Sequence, residues 1–345
     1  MELVGVLCGS LLVVLVSTDI MLTLLHPTAR GPASYVANRA TWRAVRTVSR
    51  RLLRGRGLSY AGPLAVVTNV LAWVALLWLG FALVYLPFMG QFAFDPDTPF
   101  AGRGFAEAAY FSGAALTTLG FGDVVPTSMV LRLATIAEAA SGFAALSAAI
   151  AFVISIYPLL SQLRGTGIQM DDSGALELEG AARVVREAGP SELAAVVREL
   201  TENHEHLRRF PVLYYFESGN AEESLSASLR GSAMLLVALH CVPADEVGHS
   251  HVYADVLERI LSRLLDDLER DFVGGRRRTL QHDGPDGDSV AAKLDAACDQ
   301  LAAGARHDAE RDHDRAELGA LLGRVEGVLA AVAEEHGHEA RPLFA

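Results

Sequence analysis

The chain has 345 residues, of which 51% are hydrophobic, and its formal net charge is −12. Residues 1–164 hold 11 arginines and 7 acidic residues, a net charge of +4, whereas residues 165–345 hold 18 basic and 34 acidic residues, a net charge of −16. This division predicts a membrane region followed by an acidic soluble domain. The acidity argues against nucleic acid as a partner. The spacing of the three cysteines implies neither a zinc site nor a disulfide framework.

The first apolar run covers residues 3–25. At ~1.5 Å per residue it is long enough to cross a bilayer core of ~30 Å. A cleaved signal peptide is the alternative, but Glu2 stands where such peptides carry basic residues. We therefore predict that residues 1–26 are a retained transmembrane helix. Asp19 lies only about 10 Å from the inner end of this helix, so pairing with a loop arginine is its simplest expected role.

The next segment, residues 27–63, contains eight arginines and no acidic residue. By the positive-inside rule it is cytoplasmic, and the N-terminus lies outside. Five of the arginines share one helical face: Arg39, Arg43, Arg46, Arg50 and Arg54. This pattern predicts an amphipathic helix on the inner membrane surface. Setting the topology and recognising anionic lipid both remain open as roles for it.

Two further spans follow, at residues 64–88 and 129–157, and Pro158 is expected to end the second. An outer loop, residues 89–103, separates the first span from a short helical pattern at residues 104–117. That pattern has about two-thirds of the length that a span requires. It predicts a helix that enters the membrane halfway, which is tolerated where protein or water surrounds it.

Between these elements lies the Gly-Phe-Gly segment, our name for residues 117–123, Thr-Thr-Leu-Gly-Phe-Gly-Asp. A pore that selects potassium replaces the water around the ion with backbone carbonyl oxygens. In an ordinary strand successive residues alternate in direction, so aligning the carbonyls requires left-handed dihedrals at every second residue. Glycine adopts these without steric cost, and Gly120 and Gly122 have the required spacing. Leu119 and Phe121 then point away from the axis.

This string resembles the selectivity-filter signature of potassium channels, T-x-G-[YF]-G-D. The resemblance implies an all-α membrane protein with a potassium-channel-like pore module, residues 64–160, built of an outer helix, a pore helix, a filter and an inner helix. It further implies passive conduction of K⁺ through a homotetramer, with no catalysed reaction, no cofactor and no other bound metal.

The resemblance also assigns roles to individual residues. The filter itself would consist of Thr118, Leu119, Gly120, Phe121 and Gly122, with Asp123 at the outer mouth. Tyr110, Thr117 and Glu138 would support the filter. We expect the Tyr110 hydroxyl to reach Asp123, although packing at the interface is an open alternative for this side chain.

Glu138 is a carboxylate within the third span, where charge is costly and is a candidate for function. We expect it to bond Ser112 or Thr117 behind the filter, and a position near the outer interface is the alternative. Gly142 is a candidate gating hinge of the inner helix. Close packing between helices is the open alternative for this glycine.

The sequence of residues 165–345 predicts an acidic, cytoplasmic, all-α domain. Six helical patterns occur, at residues 174–187, 191–208, 221–241, 244–273, 288–304 and 309–335. Residues 211–216 predict a buried extended connection. The many histidines of this domain lack metal-ligand spacing, because residues two apart do not share a helical face, and a pH-sensing role for some of them stays open.

The sequence thus predicts a potassium-selective channel in the cell (inner) membrane of a bacterium, gated or modulated by its C-terminal domain. A non-selective cation channel, a subunit of a potassium transporter, and a membrane-anchored receptor or scaffold with a silent pore are the alternatives. The gating stimulus, the ligand of the C-terminal domain and the K⁺ over Na⁺ ratio do not follow from the sequence.

Overall fold

The structure is a computed structural model, which describes residues 2–25, 31–52, 60–95, 104–187, 189–216, 224–243, 246, 251–273, 287–301, 311–336 and 342–344. The helices in these ranges are α1 (Glu2–Leu25), α2 (Pro32–Leu52), α3 (Ala61–Tyr85), α4 (Phe105–Leu116), α5 (Met129–Asp172), α6 (Leu178–Glu187), α7 (Pro190–Arg209), α8 (Leu225–Cys241), α9 (His251–Leu268), α10 (Gly287–Leu301) and α11 (Arg311–His336). Two short strands, β1 (Phe92–Phe94) and β2 (Val124–Pro126), pair antiparallel. The chain is an all-α membrane protein, since three helical stretches are long and apolar enough to cross a membrane: Leu3–Thr23, Ala61–Gln91 and Met129–Asp172.

The helices form two compact units, and the boundary between them in the chain falls after residue 157. In the first unit α3 packs against α1, α2 and α4. Its core is aromatic: the Phe111 ring of α4 lies 5.1 Å from Tyr85 and 4.8 Å from Phe92, both edge to face. Burial of each such ring contributes roughly 1.5–3 kcal/mol. This core therefore fixes the short helix α4 against the span that precedes it.

Asp19 is a buried junction between α1, α2 and α3, and its side chain is 1% exposed. Its Oδ2 accepts hydrogen bonds from Trp73 Nε1 at 2.9 Å and from Ser34 Oγ at 2.6 Å. A buried carboxylate requires such donors because burial removes its hydration. Trp73 in turn packs edge to face on Phe152 of α5, with ring centroids 6.3 Å apart. The sequence had not predicted these indole and hydroxyl donors. The pairing with a loop arginine stays a prediction, because residues 26–30 of the loop lie outside the described residues.

The end expected for the inner helix at Tyr157 is wrong. α5 begins at Met129, as predicted, but it continues to Asp172 with Pro158 inside it. Proline removes one backbone hydrogen bond from a helix and clashes with the preceding turn, yet membrane helices tolerate it where neighbouring groups compensate. Leu160 and Met170, beyond the proline, are both buried, so packing of this extension offsets the cost.

The second unit is a helical domain around α8. α6, α9, α10 and α11 pack against this helix, and its residues 227–229 and 231–239 are all buried. A helix that is apolar all round belongs in a core. Five of the six predicted helices agree with the observed bounds to within about four residues. The exception is the fourth predicted helix, at residues 244–273, which is observed as α9 from His251 to Leu268. Residues 211–215 form a buried 3₁₀ turn where an extended connection had been expected.

His204 of α7, one of the histidines left without a role by the sequence, is buried and its Nε2 lies 2.9 Å from Asp267 Oδ2 of α9. Arg208 and Arg270 also contact this carboxylate, at 3.4 and 2.9 Å. The pair joins two helices of the bundle, which is a structural use of this histidine.

The expectation of no disulfide is wrong: Cys241 at the end of α8 is bonded to Cys298 of α10. The two residues are 57 positions apart in the chain, and neither shows a motif spacing. Only the packing of α10 against α8 brings the two sulfur atoms together. Cys8 of α1 is a free cysteine.

We expect Cys298→Ser to destabilise the C-terminal domain by about 2–4 kcal/mol, because a cross-link restricts the unfolded chain and more so for long loops. Thermal unfolding of the purified protein in detergent measures the effect, and Cys8→Ser is the matched control. Equal unfolding temperatures for both variants, or free thiols at both positions on alkylation of the unreduced protein, would contradict the bond.

Candidate functional site

Polar contacts join the short helix α4 to α3 on one side and to α5 on the other. Trp78 Nε1 of α3 donates to the Ala109 carbonyl at 2.7 Å. The Ser112 hydroxyl donates to Glu138 Oε1 of α5 at 2.5 Å, and its oxygen also lies 2.9 Å from the Trp78 carbonyl oxygen. Glu138 is fully buried. The contact expected between Glu138 and Ser112 is therefore present, whereas Thr117 instead donates to the Gly113 carbonyl at 2.6 Å.

The Gly-Phe-Gly segment follows α4 and alternates its backbone conformation. Thr118, Gly120 and Gly122 have φ angles of 59°, 56° and 81°, all left-handed. The two glycines had been expected to adopt this conformation. Thr118 had not, and a non-glycine residue there costs about 1–2 kcal/mol. Left-handed residues at every second position turn alternate peptide units round, which brings successive carbonyl oxygens toward one side.

The amide groups of residues 117–120, the first four of the segment, bond backward onto α4. Thr118 N donates to Ala115 O at 3.0 Å, and Leu119 N donates to Ala114 O at 2.9 Å. Within the part of the chain that the structure describes, the carbonyl oxygens of residues 118–122 accept no hydrogen bond. These oxygens are thus free to bind a ligand that carries positive charge.

The C-terminal end of the segment is fixed by the β1–β2 ladder, which the sequence had not predicted. Asp95 N donates to the Asp123 carbonyl at 2.8 Å, and Thr127 N donates to Gln91 O at 2.9 Å. The register pairs Phe94 with Val124. Because β1 follows closely after α3, the ladder ties the segment to the end of the preceding span.

Tyr110 of α4 contacts the same end of the Gly-Phe-Gly segment, at Asp123. Its hydroxyl donates to Asp123 Oδ2 at 2.7 Å, which is the hydrogen bond that the sequence suggested. Its ring also lies parallel to Phe121, with centroids 6.2 Å apart. Leu119 and Phe121 are 63% and 64% exposed in the single chain, so one chain leaves this face of the segment uncovered.

Gly142 lies where α5 crosses the end of α4. A Cβ atom at this position would stand 2.1 Å from the Leu116 carbonyl oxygen, much closer than van der Waals contact. The glycine therefore permits the close approach of the two helices, and α5 is continuous through it. Bending at Gly142 remains a prediction.

The fold and site define a membrane protein with an ion-channel-like module. Residues 71–157 match the family model described as an ion channel, which supports an ion channel for this part of the chain. A relative, the uncharacterized membrane protein YdjJ of Bacillus subtilis (strain 168), is 25% identical over 233 residues. This alignment covers 64% of the present chain and 64% of the relative. No solved structure matches the chain.

We expect Tyr110→Phe to lower the rate of ion flux or the time for which flux lasts. The substitution removes the hydrogen-bond donor to Asp123 and keeps the ring that lies parallel to Phe121. Sustained ion flux into vesicles containing the purified protein is the measurement. Tyr60→Phe, at a residue that is 67% exposed, is the matched control. Flux from Tyr110→Phe as large and as lasting as that of the unaltered protein would show that the hydrogen bond has no role in conduction.

Proposed function

We propose that this protein is a potassium-selective channel, in which K⁺ passes through rings of carbonyl oxygens from residues 118–122. The observation that carries the proposal is the alternation of left-handed residues at 118, 120 and 122, with carbonyl oxygens that have no donor in the described chain. Carbonyl oxygens are the ligands that potassium filters use to replace water. The proposal assigns no catalysed reaction and no cofactor to the chain.

One chain supplies only one line of carbonyls, so the proposed pore requires several copies around an axis. We propose a homotetramer, the number that the resemblance to potassium channels implies. The exposed side chains of Leu119 and Phe121 support this, because neighbouring chains would cover them. The exposed apolar residues of α5 support it as well: Met129, Val130, Leu133, Ile136, Phe143, Leu146, Ile150, Val153, Ile154 and Tyr157.

The proposed location is the cell membrane, with the N-terminus outside and the acidic domain in the cytoplasm. The eight arginines of residues 27–63 support this orientation, since basic loops stay in the cytoplasm. The bond between Cys241 and Cys298 points the other way, because disulfides are uncommon there. Both cysteines are buried, however, and burial limits the access of reductants to the bond.

We further propose that anionic lipid binds α2. Arg39 and Arg43 are exposed on this helix, while Trp42 is buried. Basic residues near a membrane surface attract anionic headgroups. Arg54, which the sequence placed on the same face, lies outside the described residues.

The C-terminal domain is proposed to modulate the pore through the extension of α5 beyond Pro158. Within that domain, Thr166 Oγ1 donates to Glu199 Oε1 at 3.1 Å and accepts from Asn203 Nδ2 at 2.7 Å. Gln162 Nε2 donates to Glu202 Oε2 at 2.9 Å. These bonds fasten the extension to α7. A movement of α7 would therefore be transmitted to the helix that carries Gly142.

Purified protein in vesicles is expected to conduct K⁺ well above Na⁺. The reason is that fixed carbonyl oxygens replace the hydration of the larger ion. Radioactive or fluorescent flux assays with each ion measure the ratio. Equal flux of both ions would support the non-selective alternative, and no flux of either ion under any tested condition would support a silent pore.

Gly122→Ala is expected to abolish conduction without loss of membrane insertion. No atom lies within 4 Å of a Cβ placed at Gly122, so the effect arises from the left-handed backbone, about 1–2 kcal/mol in each subunit. Gly165→Ala is the matched control, because that site in α5 is equally open but has no positive φ. Normal flux from Gly122→Ala would remove the physical basis for the proposed filter.

A further inference from the structure

A cavity of about 500 Å³ lies within the C-terminal domain, between the start of α6, α8 and α10. Its volume is in the range of sites for small molecules. Met234 of α8, Ala297 of α10 and Leu343 provide buried apolar surface. Neither the proposed pore nor the proposed lipid contact uses this cavity.

The walls of the cavity are held in place by specific bonds. The Arg230 guanidinium donates from Nε to Leu176 O at 2.9 Å and from Nη1 to Pro342 O at 2.6 Å. Leu343 N donates to Glu326 Oε1 at 3.2 Å. The bond between Cys241 and Cys298 joins α8 to α10, two helices that line the cavity, covalently. A site whose walls are fixed in advance loses less entropy when a ligand binds.

The charges around the cavity are of both signs, and their exposure differs. Lys293 is half-buried, and within the described residues its ammonium group has no ion pair. It is the one lysine of a chain that otherwise uses 28 arginines. Glu177 and Glu179 are exposed, and Glu179 Oε1 accepts from Gln300 Nε2 of α10 at 3.2 Å. The lysine is thus less exposed to solvent than the two glutamates that line the same cavity.

We propose that this cavity binds a small zwitterion with an apolar body, namely an α-amino acid or a dipeptide. The carboxylate of the ligand pairs with Lys293, in the charge-assisted manner that favours such contacts. Its ammonium group lies near Glu177 and Glu179, and its apolar body packs on Met234 and Leu343. A ligand with only a negative charge would be repelled by the two glutamates, and one with only a positive charge would be repelled by Lys293 and Arg230. A ligand that carries both charges is therefore the best match.

Isothermal titration calorimetry on the full chain in detergent, without reductant, tests the proposal. The probes are L-methionine, L-leucine and L-leucyl-L-leucine, with 4-methylpentanoate and isoamylamine as analogues that keep one charge each. We expect saturable binding of at least one zwitterion and at least tenfold weaker binding of both analogues. Binding of an analogue as tight as that of every zwitterion, or no binding of any zwitterion, would overturn the proposal.

Variants locate the site. Lys293→Ala should weaken zwitterion binding about tenfold or more, because a hydrogen bond to a charged group is lost, while Lys293→Arg should retain most of it. Ala296→Phe, at an exposed residue of the cavity wall, should block the site if Lys293→Ala fails to fold. Arg198→Ala, on the exposed surface of α7, is the control. Unchanged binding in Ala296→Phe would overturn the assignment. Binding is measured without ion flux, so this result is independent of the proposed channel function.

Discussion

A carbonyl oxygen can take the place of water around a cation only if no amide group already occupies it. The Gly-Phe-Gly segment meets this condition because its first amides, those of residues 117–120, bond backward to α4 and its last carbonyl, that of Asp123, accepts from Asp95 N. Among the described residues, the carbonyls of residues 118–122 accept no hydrogen bond. The alternate left-handed residues that turn them include Thr118, whose conformation costs free energy and persists only because both ends of the segment are fixed.

The fixing of the segment depends in turn on the position of α4. This helix has 12 residues, a length at which an isolated helix is only marginally stable in water. It is stabilised by aromatic contacts with Tyr85 and Phe92 and by polar contacts with Trp78 and Glu138. Gly142 lets α5 approach the last turn of α4. The geometry of the segment is therefore set by three helices and a strand pair, and not by the segment alone.

The sequence predicted the parts of this arrangement that depend on local pattern. The three apolar spans, the short helix predicted at residues 104–117 and observed at Phe105–Leu116, and the glycine spacing all follow from periodicity, length and steric rules. The Glu138 contact could be predicted because this carboxylate lies inside an apolar span, where a partner is required. The Tyr110 contact with Asp123 was one of two alternatives that the sequence left open for that side chain. The predictions that were wrong or missing concern features that depend on tertiary packing. The β1–β2 ladder has only three residues in each strand, α5 passes Pro158 because its extension is buried, and Cys298 meets Cys241 only after the bundle has formed.

The disulfide also imposes an order on synthesis of the chain. Cys241 leaves the ribosome 57 residues before Cys298, which is roughly 3–11 s earlier at ordinary rates of translation. During that interval α9 emerges, and the later closure of the bond encloses it in a covalent loop. The covalent closure therefore waits for α10, and α11, which also packs against α8, emerges later still.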